Sequence, residues 1–117
     1  MRKTMNCETL KKIILQGEDH IFKFKENISG IDILAEEICA FANSEGGYII
    51  VGVHENGEIT GLNISDISRL NQWVSNATSQ KIDKMIPVLT HELICDNKRI
   101  LLVHILRGRN KPYTVIQ

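Results

Sequence analysis

The fold is decided by residues 38–62, which read ICAFANSEGGYIIVGVHENGEITGL. A helical stripe of apolar side chains leads into this stretch: Ile31, Leu34, Ile38, Phe41 and Ala42. Ser29 is the expected N-cap of this helix, with Asp32 completing a capping box. After the polar turn at residues 43–47, the run Tyr48–Val53 is almost continuously apolar, as is typical of a central strand covered on both faces. The stretch therefore predicts a helix that leads directly into the middle strand of a sheet.

Local patterns on both sides predict the remaining elements. Alternation places Phe22 and Phe24 on one face of a strand and Lys23 and Lys25 on the other. The full set is a helix from Asn6 to Gln16 that ends at Gly17, a strand from His20 to Glu26, an Asn56-Gly57 hairpin with return strand Glu58–Leu62, a helix from Ser65, a hairpin of Val88–Cys95 with Lys98–Leu106, and a last strand from Pro112 to Gln117. The resulting order, α-β-α-β-β-α-β-β-β, predicts a mixed, α+β-like α/β fold, with about three helices packed on a largely antiparallel sheet.

Composition excludes several classes of protein. The chain has 117 residues, zero formal net charge and 43% apolar residues, which fits one globular domain over residues 1–117. No apolar run approaches the roughly 18 residues of a membrane-spanning helix, and the first residues do not form a signal peptide, so no membrane partner is expected. The cysteines, Cys7, Cys39 and Cys95, are odd in number and lack CxxC spacing, which favours buried reduced thiols and a cytoplasmic location.

The zero net charge conceals an asymmetry along the chain. Residues up to Asp66 carry a net charge of −5 and the residues after it carry +5. Unopposed cations and a tyrosine gather near the end of the chain in the segment Arg107-Gly-Arg109-Asn-Lys111-Pro-Tyr113. Together with Lys23 and Lys25, they predict a basic edge that contacts DNA or RNA phosphates, with the Tyr113 ring stacking on a base. A solvated, solubilising loop is the alternative.

The turn at residues 43–47 is a second candidate site because Asn43, Glu45, Gly46 and Gly47 cluster there. A phosphate-binding loop runs from strand to helix and offers the positive helix end, whereas this turn follows a helix and faces its negative end. A nucleotide site of the Walker type is therefore disfavoured, and no GxxxxGK[ST] motif occurs. We expect Asn43 and Glu45 to organise the turn.

Acidic and histidine side chains give two weaker candidates for metal chemistry. Glu18 and Glu55 are the acids near strand ends, and a two-residue turn would place Glu55 opposite Glu58. On the second hairpin, His91 and His104 are expected to lie diagonally on one face, where two imidazoles alone make a packed face more plausible than a zinc site. No metal or cofactor is predicted.

The pattern as a whole resembles the Schlafen AlbA-type domain, earlier described as a divergent AAA domain. The resemblance rests on residues 38–62, on Glu18 with Phe24-Lys25, and on Gly108 with Lys111-Pro112-Tyr113. It implies a DNA-binding module of the kind found at the N-terminus of bacterial proteins described as transcriptional regulators. It also implies a longer parent protein with a C-terminal domain, and the edge at Pro112–Gln117 suggests a homodimer. A nucleotide-sensing or protein-interaction module is an alternative.

Some Schlafen relatives are ribonucleases with three acids, which makes metal-dependent cleavage a further alternative. Carried onto this sequence, Glu18 keeps the first acid, Lys23 replaces the second, and His54 or Glu55 takes the third position. Glu26 is not expected to compensate, because eight residues of extended strand separate it from Glu18 by roughly 26 Å. A lysine repels the Mg²⁺ or Mn²⁺ that such a nuclease needs, so the resemblance favours binding over catalysis.

Overall fold

The computed structural model describes residues 5–116, which form three helices and a four-stranded sheet. In chain order the elements are α1 (Cys7–Gln16), β1 (Phe22–Lys25), α2 (Ile31–Asn43), β2 (Gly47–Val51), α3 (Ile64–Asn76), a π-helical turn (Ala77–Lys81), β3 (Val88–Cys95) and β4 (Lys98–Ile105). The sheet order is β1-β2-β4-β3, with β1 parallel to β2 and the other pairs antiparallel. The predicted fold class is confirmed.

Strand β2 lies inside the sheet and is covered on both faces, as its apolar sequence predicts. Ile49 and Val51 pack with α2 and α3 in the larger core cluster. Ile50 points to the opposite face, where Leu10 of α1 covers it in a smaller cluster. Both clusters are closed by side chains from β4, whose residues alternate between the two faces.

The second hairpin is confirmed in its register. Cys95 pairs with Lys98, His91 with Leu102 and Leu89 with His104. Asp96 and Asn97 form the turn with φ of 53° and 63°, a left-handed conformation that asparagine and aspartate tolerate better than most residues.

The start of α1 agrees with the sequence prediction, and the starts of α2 and α3 differ from it by one or two residues. The Asn6 side chain accepts from the Thr9 N–H. Helix α3 begins at Ile64, one residue before the predicted Ser65, and Asn63 caps it in a capping box with Asp66. The expected Ser29 cap is wrong, because α2 begins after Gly30, which offers no side-chain cap. The Asp32 carboxylate is instead ion-paired with Lys81 at 3.0 Å.

Two predicted short strands are reduced to isolated bridges. Residues 58–62 contribute only Ile59 opposite Val53 and Leu62 opposite Arg99, and the last segment contributes only Val115 opposite Ile82. Gln117 lies outside the described residues. The first hairpin has a three-residue loop in which Gly57 adopts φ of 96°, so Glu55 lies in the loop and does not face Glu58.

The prediction of three reduced thiols is wrong for two of them. Cys7 on α1 is disulfide-bonded to Cys95 at the end of β3, with their Cα atoms 5.5 Å apart. The Lys11–Asp96 ion pair, at 2.9 Å, joins the same two parts of the molecule. Cys39 is the free cysteine of the described residues, and burial raises the pKa of its thiol. Among residues 5–116, no helix has the length and apolar character needed to cross a bilayer.

Candidate nucleic-acid interface

The basic loop at residues 106–113 docks on the C-terminal end of α2, so two motifs that are distant in sequence form one site. The Gly108 N–H donates to the Ala42 carbonyl at 3.0 Å. The Asn43 amide donates to the Tyr113 carbonyl at 2.9 Å and accepts from the Tyr113 N–H at 2.8 Å. Asn43 thereby satisfies both backbone groups of one residue, as a neighbouring strand would do.

The negative end of α2 explains why a basic loop binds there. The last carbonyls of a helix lack partners within the helix and carry partial negative charge. Lys111 Nζ donates to the Ser44 carbonyl at 2.8 Å, just past the end of α2. The negative helix end that disfavours a phosphate at this turn thus attracts the ammonium group of a lysine.

Glycines allow the backbones to approach closely at this junction. Gly46 has φ of 79°, and a Cβ there would lie 2.6 Å from the Ile105 carbonyl oxygen and 2.7 Å from the Arg107 nitrogen. At Gly108, a Cβ would overlap the Tyr113 ring. A Cβ at Gly47 would overlap the Phe41 ring. Packing therefore accounts for these glycines, without a bound ligand.

Glu45 lies on the outside of the turn. Its side chain is exposed and lies 3.6 Å from the imidazole of His20. It makes no hydrogen bond within the turn among the residues that the structure describes, so Asn43 alone of the two predicted residues holds the junction together.

The Tyr113 ring is not placed for stacking on a base, which corrects the expectation from the sequence. Only 4% of Tyr113 is exposed, because the ring lies against Gly108 inside the core. The hydroxyl accepts from the Asn110 N–H at 2.9 Å. Tyr113 therefore shapes the basic loop from beneath.

Lys84, which the sequence patterns did not indicate, stabilises the basic loop through hydrogen bonds to its backbone. Its ammonium donates to the carbonyls of Asn110 and Pro112, at 3.1 and 2.9 Å, and lies 5.9 Å from the centroid of the Tyr113 ring. The following segment is fixed by Asp83, whose carboxylate accepts from the Thr114 N–H at 2.9 Å. This backbone hydrogen bond lowers the pKa of Asp83. A lysine in a loop has no periodic pattern to mark it, so only the fold reveals this contact.

Arg107 and Arg109 project from the docked loop into solvent. Both side chains are exposed, and within residues 5–116 neither is ion-paired with an acidic side chain. They line a surface depression together with Met85, Pro87 and Leu106. The backbone between them is held on α2 by the hydrogen bond from the Gly108 N–H to the Ala42 carbonyl.

The two lysines of β1 have different surroundings. Lys25 is half-buried and forms an ion pair with Glu37 of α2 at 2.8 Å. Lys23 is exposed and lines a groove with His20, Phe41 and Ser44. Because Ser44 also binds Lys111, Lys23 lies on the side of the sheet where the basic loop docks.

The candidate acids meet in one depression, which Glu18 and Glu55 line together with Glu26, Glu37, His54, Lys23 and Lys25. The expectation that Glu26 is remote from Glu18 is wrong, because β1 starts only at Phe22 and the chain turns before it. The Glu18 carboxylate accepts from the Phe24 N–H at 2.7 Å. His54 lies 3.5 Å from Glu26. Among the described residues, no group of three or more acids, histidines or cysteines is arranged to hold a metal ion.

The histidines of the second hairpin lie on the α1 face of the sheet. His104 stacks on Tyr48 at 4.2 Å between ring centroids, and Tyr48 stacks on Phe22 at 5.6 Å. Burial lowers the pKa of His104, which favours the uncharged imidazole. The expected packed face therefore includes His104, whereas His91 and Leu89 are exposed.

Comparison with known proteins identifies a family and a fold. The family model described as Schlafen, AlbA_2 matches residues 18–117. No curated protein sequence matches the chain significantly.

Two solved structures share the fold. The N-terminal domain of a RecG-related protein from Nitrosomonas europaea superposes with a TM-score of 0.71 at 16% identity, covering 97% of this chain and 82% of that one. The DIP2311 protein from Corynebacterium diphtheriae gives 0.55 at 22% identity, and the match covers 89% of this chain but only 22% of that one. At these identities the likeness concerns the fold alone.

Proposed function

Because the chain belongs to the Schlafen, AlbA_2 family, we propose that it is a nucleic-acid-binding module that contacts DNA phosphates through its basic loop. The observation that carries the proposal is the docked loop, which presents exposed Arg107 and Arg109 on either side of Gly108, whose N–H is bonded to the Ala42 carbonyl of α2. Guanidinium groups bind phosphate in fork geometry, and a rigid loop loses little conformational entropy on binding.

The cations of the site have two different roles in this proposal. Arg107, Arg109 and Lys23 have no acidic partner among residues 5–116 and contact phosphates. Lys111 holds the loop on α2, and Lys25 neutralises Glu37. We place the module in a transcriptional regulator that binds as a homodimer, and sedimentation equilibrium with and without DNA tests the dimer.

Fluorescence anisotropy with a labelled DNA duplex over a salt series tests the binding. Each phosphate contact adds about 0.9 to the magnitude of the slope of log K against log salt concentration, so the double variant Arg107→Ala/Arg109→Ala is expected to lower it by about 1.8. The charge-matched control Lys11→Ala/Lys12→Ala, on α1, should leave the slope unchanged. Binding weaker than about 10⁻⁴ M at low salt, or a slope that the arginine substitutions do not change, contradicts the proposal.

Metal-dependent nuclease activity is a second candidate, favoured by the single observation that Glu18 and Glu55 line one depression. Lys23 and Lys25 line it too, and positive charges there oppose cation binding. We expect no cleavage of transfer RNA in the presence of Mg²⁺ or Mn²⁺. Cleavage that disappears in Glu18→Ala and persists in Glu8→Ala, a matched exposed glutamate on α1, would replace the binding proposal with an enzymatic one.

A further inference from the structure

Met85 is a large apolar side chain placed at the rim of the basic depression. It is 86% exposed, and it lines the depression with Pro87, Leu106, Arg107 and Arg109. Leu106 is also exposed, at 37%. The surface that carries the unpaired arginines therefore has an apolar part, which phosphate binding alone does not require.

Both neighbours of Met85 fix its position. Ile86 is buried in the larger core cluster. Lys84 is hydrogen-bonded to the carbonyls of Asn110 and Pro112. The backbone between these two anchors leaves the Met85 side chain in solvent, next to the arginines.

We propose that Met85 acts as an apolar wedge that contacts an unstacked base step while Arg107 and Arg109 hold the adjacent phosphates. This inference rests on the proposed DNA-binding function and adds to it a residue that selects deformable or distorted DNA. Proteins that kink DNA insert methionine, leucine or proline between base pairs, and the insertion is easiest where the bases are already poorly stacked.

The two arginines and the single exposed methionine fit a nucleic acid better than a membrane surface. Acidic phosphates match the two arginines, which form no ion pair with an acidic side chain among residues 5–116. A membrane needs more apolar contact than one methionine supplies, since even a whole myristoyl chain gives only marginal anchoring. A base step offers an apolar face of the size of one side chain.

The test compares two labelled duplexes that differ only by a central mismatch, with wild type, Met85→Ala and Leu15→Ala. Leu15 is a matched control because it is 87% exposed and lies on α1. Wild type and Leu15→Ala are expected to bind the mismatched duplex about tenfold more tightly than the perfect one, a factor of the size that burial of a methionine provides. Met85→Ala should lose this preference and keep the salt slope.

The outcomes separate this inference from the function on which it rests. If wild type binds both duplexes equally with an arginine-dependent salt slope, the wedge is refuted and the DNA-binding proposal stands. A Met85→Ala variant that keeps the preference for the mismatch also refutes the wedge. Binding of neither duplex overturns both proposals. Met85-dependent binding to vesicles of phosphatidylcholine and phosphatidylserine, without a mismatch preference, overturns the wedge in favour of a lipid surface.

Discussion

Replacing Asn43 with alanine removes the clamp that joins the basic loop to α2, and we expect it to lower the free energy of unfolding by about 2–3 kcal/mol. The substitution deletes two hydrogen bonds to Tyr113, at 2.9 and 2.8 Å, each worth about 1 kcal/mol net. It also leaves a partly buried N–H and carbonyl without their partner, which adds a fraction of the about 1–3 kcal/mol desolvation cost of such groups.

Urea unfolding followed by circular dichroism measures the global cost, and hydrogen exchange of the Tyr113 amide measures the local one. Asn76→Ala is a suitable control, because Asn76 accepts a single exposed hydrogen bond from Gln72. Its expected cost is below about 0.5 kcal/mol. Asn43→Asp keeps the acceptor for the Tyr113 N–H but places a second oxygen against the Tyr113 carbonyl, so it should not restore stability.

Asn43→Ala should also weaken DNA binding without changing the slope of log K against log salt concentration. Arg107 and Arg109 remain present in Asn43→Ala, so the number of phosphate contacts is unchanged. The loop must then be ordered on binding, at a cost in conformational entropy. A loss of stability below about 0.5 kcal/mol with unchanged exchange at Tyr113 would refute the reasoning that Asn43 holds the loop.

Three further predictions concern packing, pH and thiol reactivity. Gly108→Ala should destabilise the protein by about 1–3 kcal/mol in urea unfolding, because its Cβ overlaps the Tyr113 ring, and a neutral result would mean that the loop moves away easily. The hydrogen bond from the Asn63 N–H lowers the pKa of Asp66 below its ordinary value of 3.8. The Asp66 carboxylate therefore stabilises the fold above pH 3.8, and this stabilisation is lost as pH falls through the pKa of the folded state. The difference in free energy of unfolding between wild type and Asp66→Ala should shrink below about pH 4. Without reductant, one thiol, that of buried Cys39, should react with a thiol reagent, and only after unfolding, whereas a second or third reactive thiol would contradict the disulfide.

The parts of the fold that the sequence predicts correctly depend on local patterns. The register of the β3–β4 hairpin follows from Asp96-Asn97, because a two-residue turn with positive φ leaves one pairing of the flanking strands. The central position of β2 follows from its continuous apolar run, since polar residues mark strands with one solvated face. Both signals lie within a few residues of the structure that they specify.

The parts that the sequence does not reveal depend on contacts between distant residues. Asn43 and Tyr113 are 70 positions apart, and Cys7 and Cys95 are 88 apart. A loop with three cations and a tyrosine looks solvated in sequence, yet Tyr113 is buried because Gly108 leaves room for its ring. No periodic pattern records which loop will pack against which helix end.

The contacts of the five cations in the predicted basic edge determine how many of them are free to bind phosphates. The five cations of the predicted basic edge would give a salt slope of magnitude about 4.5 if each contacted a phosphate. The structure commits Lys25 to Glu37 and Lys111 to the Ser44 carbonyl, which leaves three cations and a slope of about 2.7. A measured slope near the larger value would mean that DNA competes successfully with the helix end for Lys111, and the loop would then have to leave α2 to bind. A slope near the smaller value is expected if the docked loop is the binding conformation.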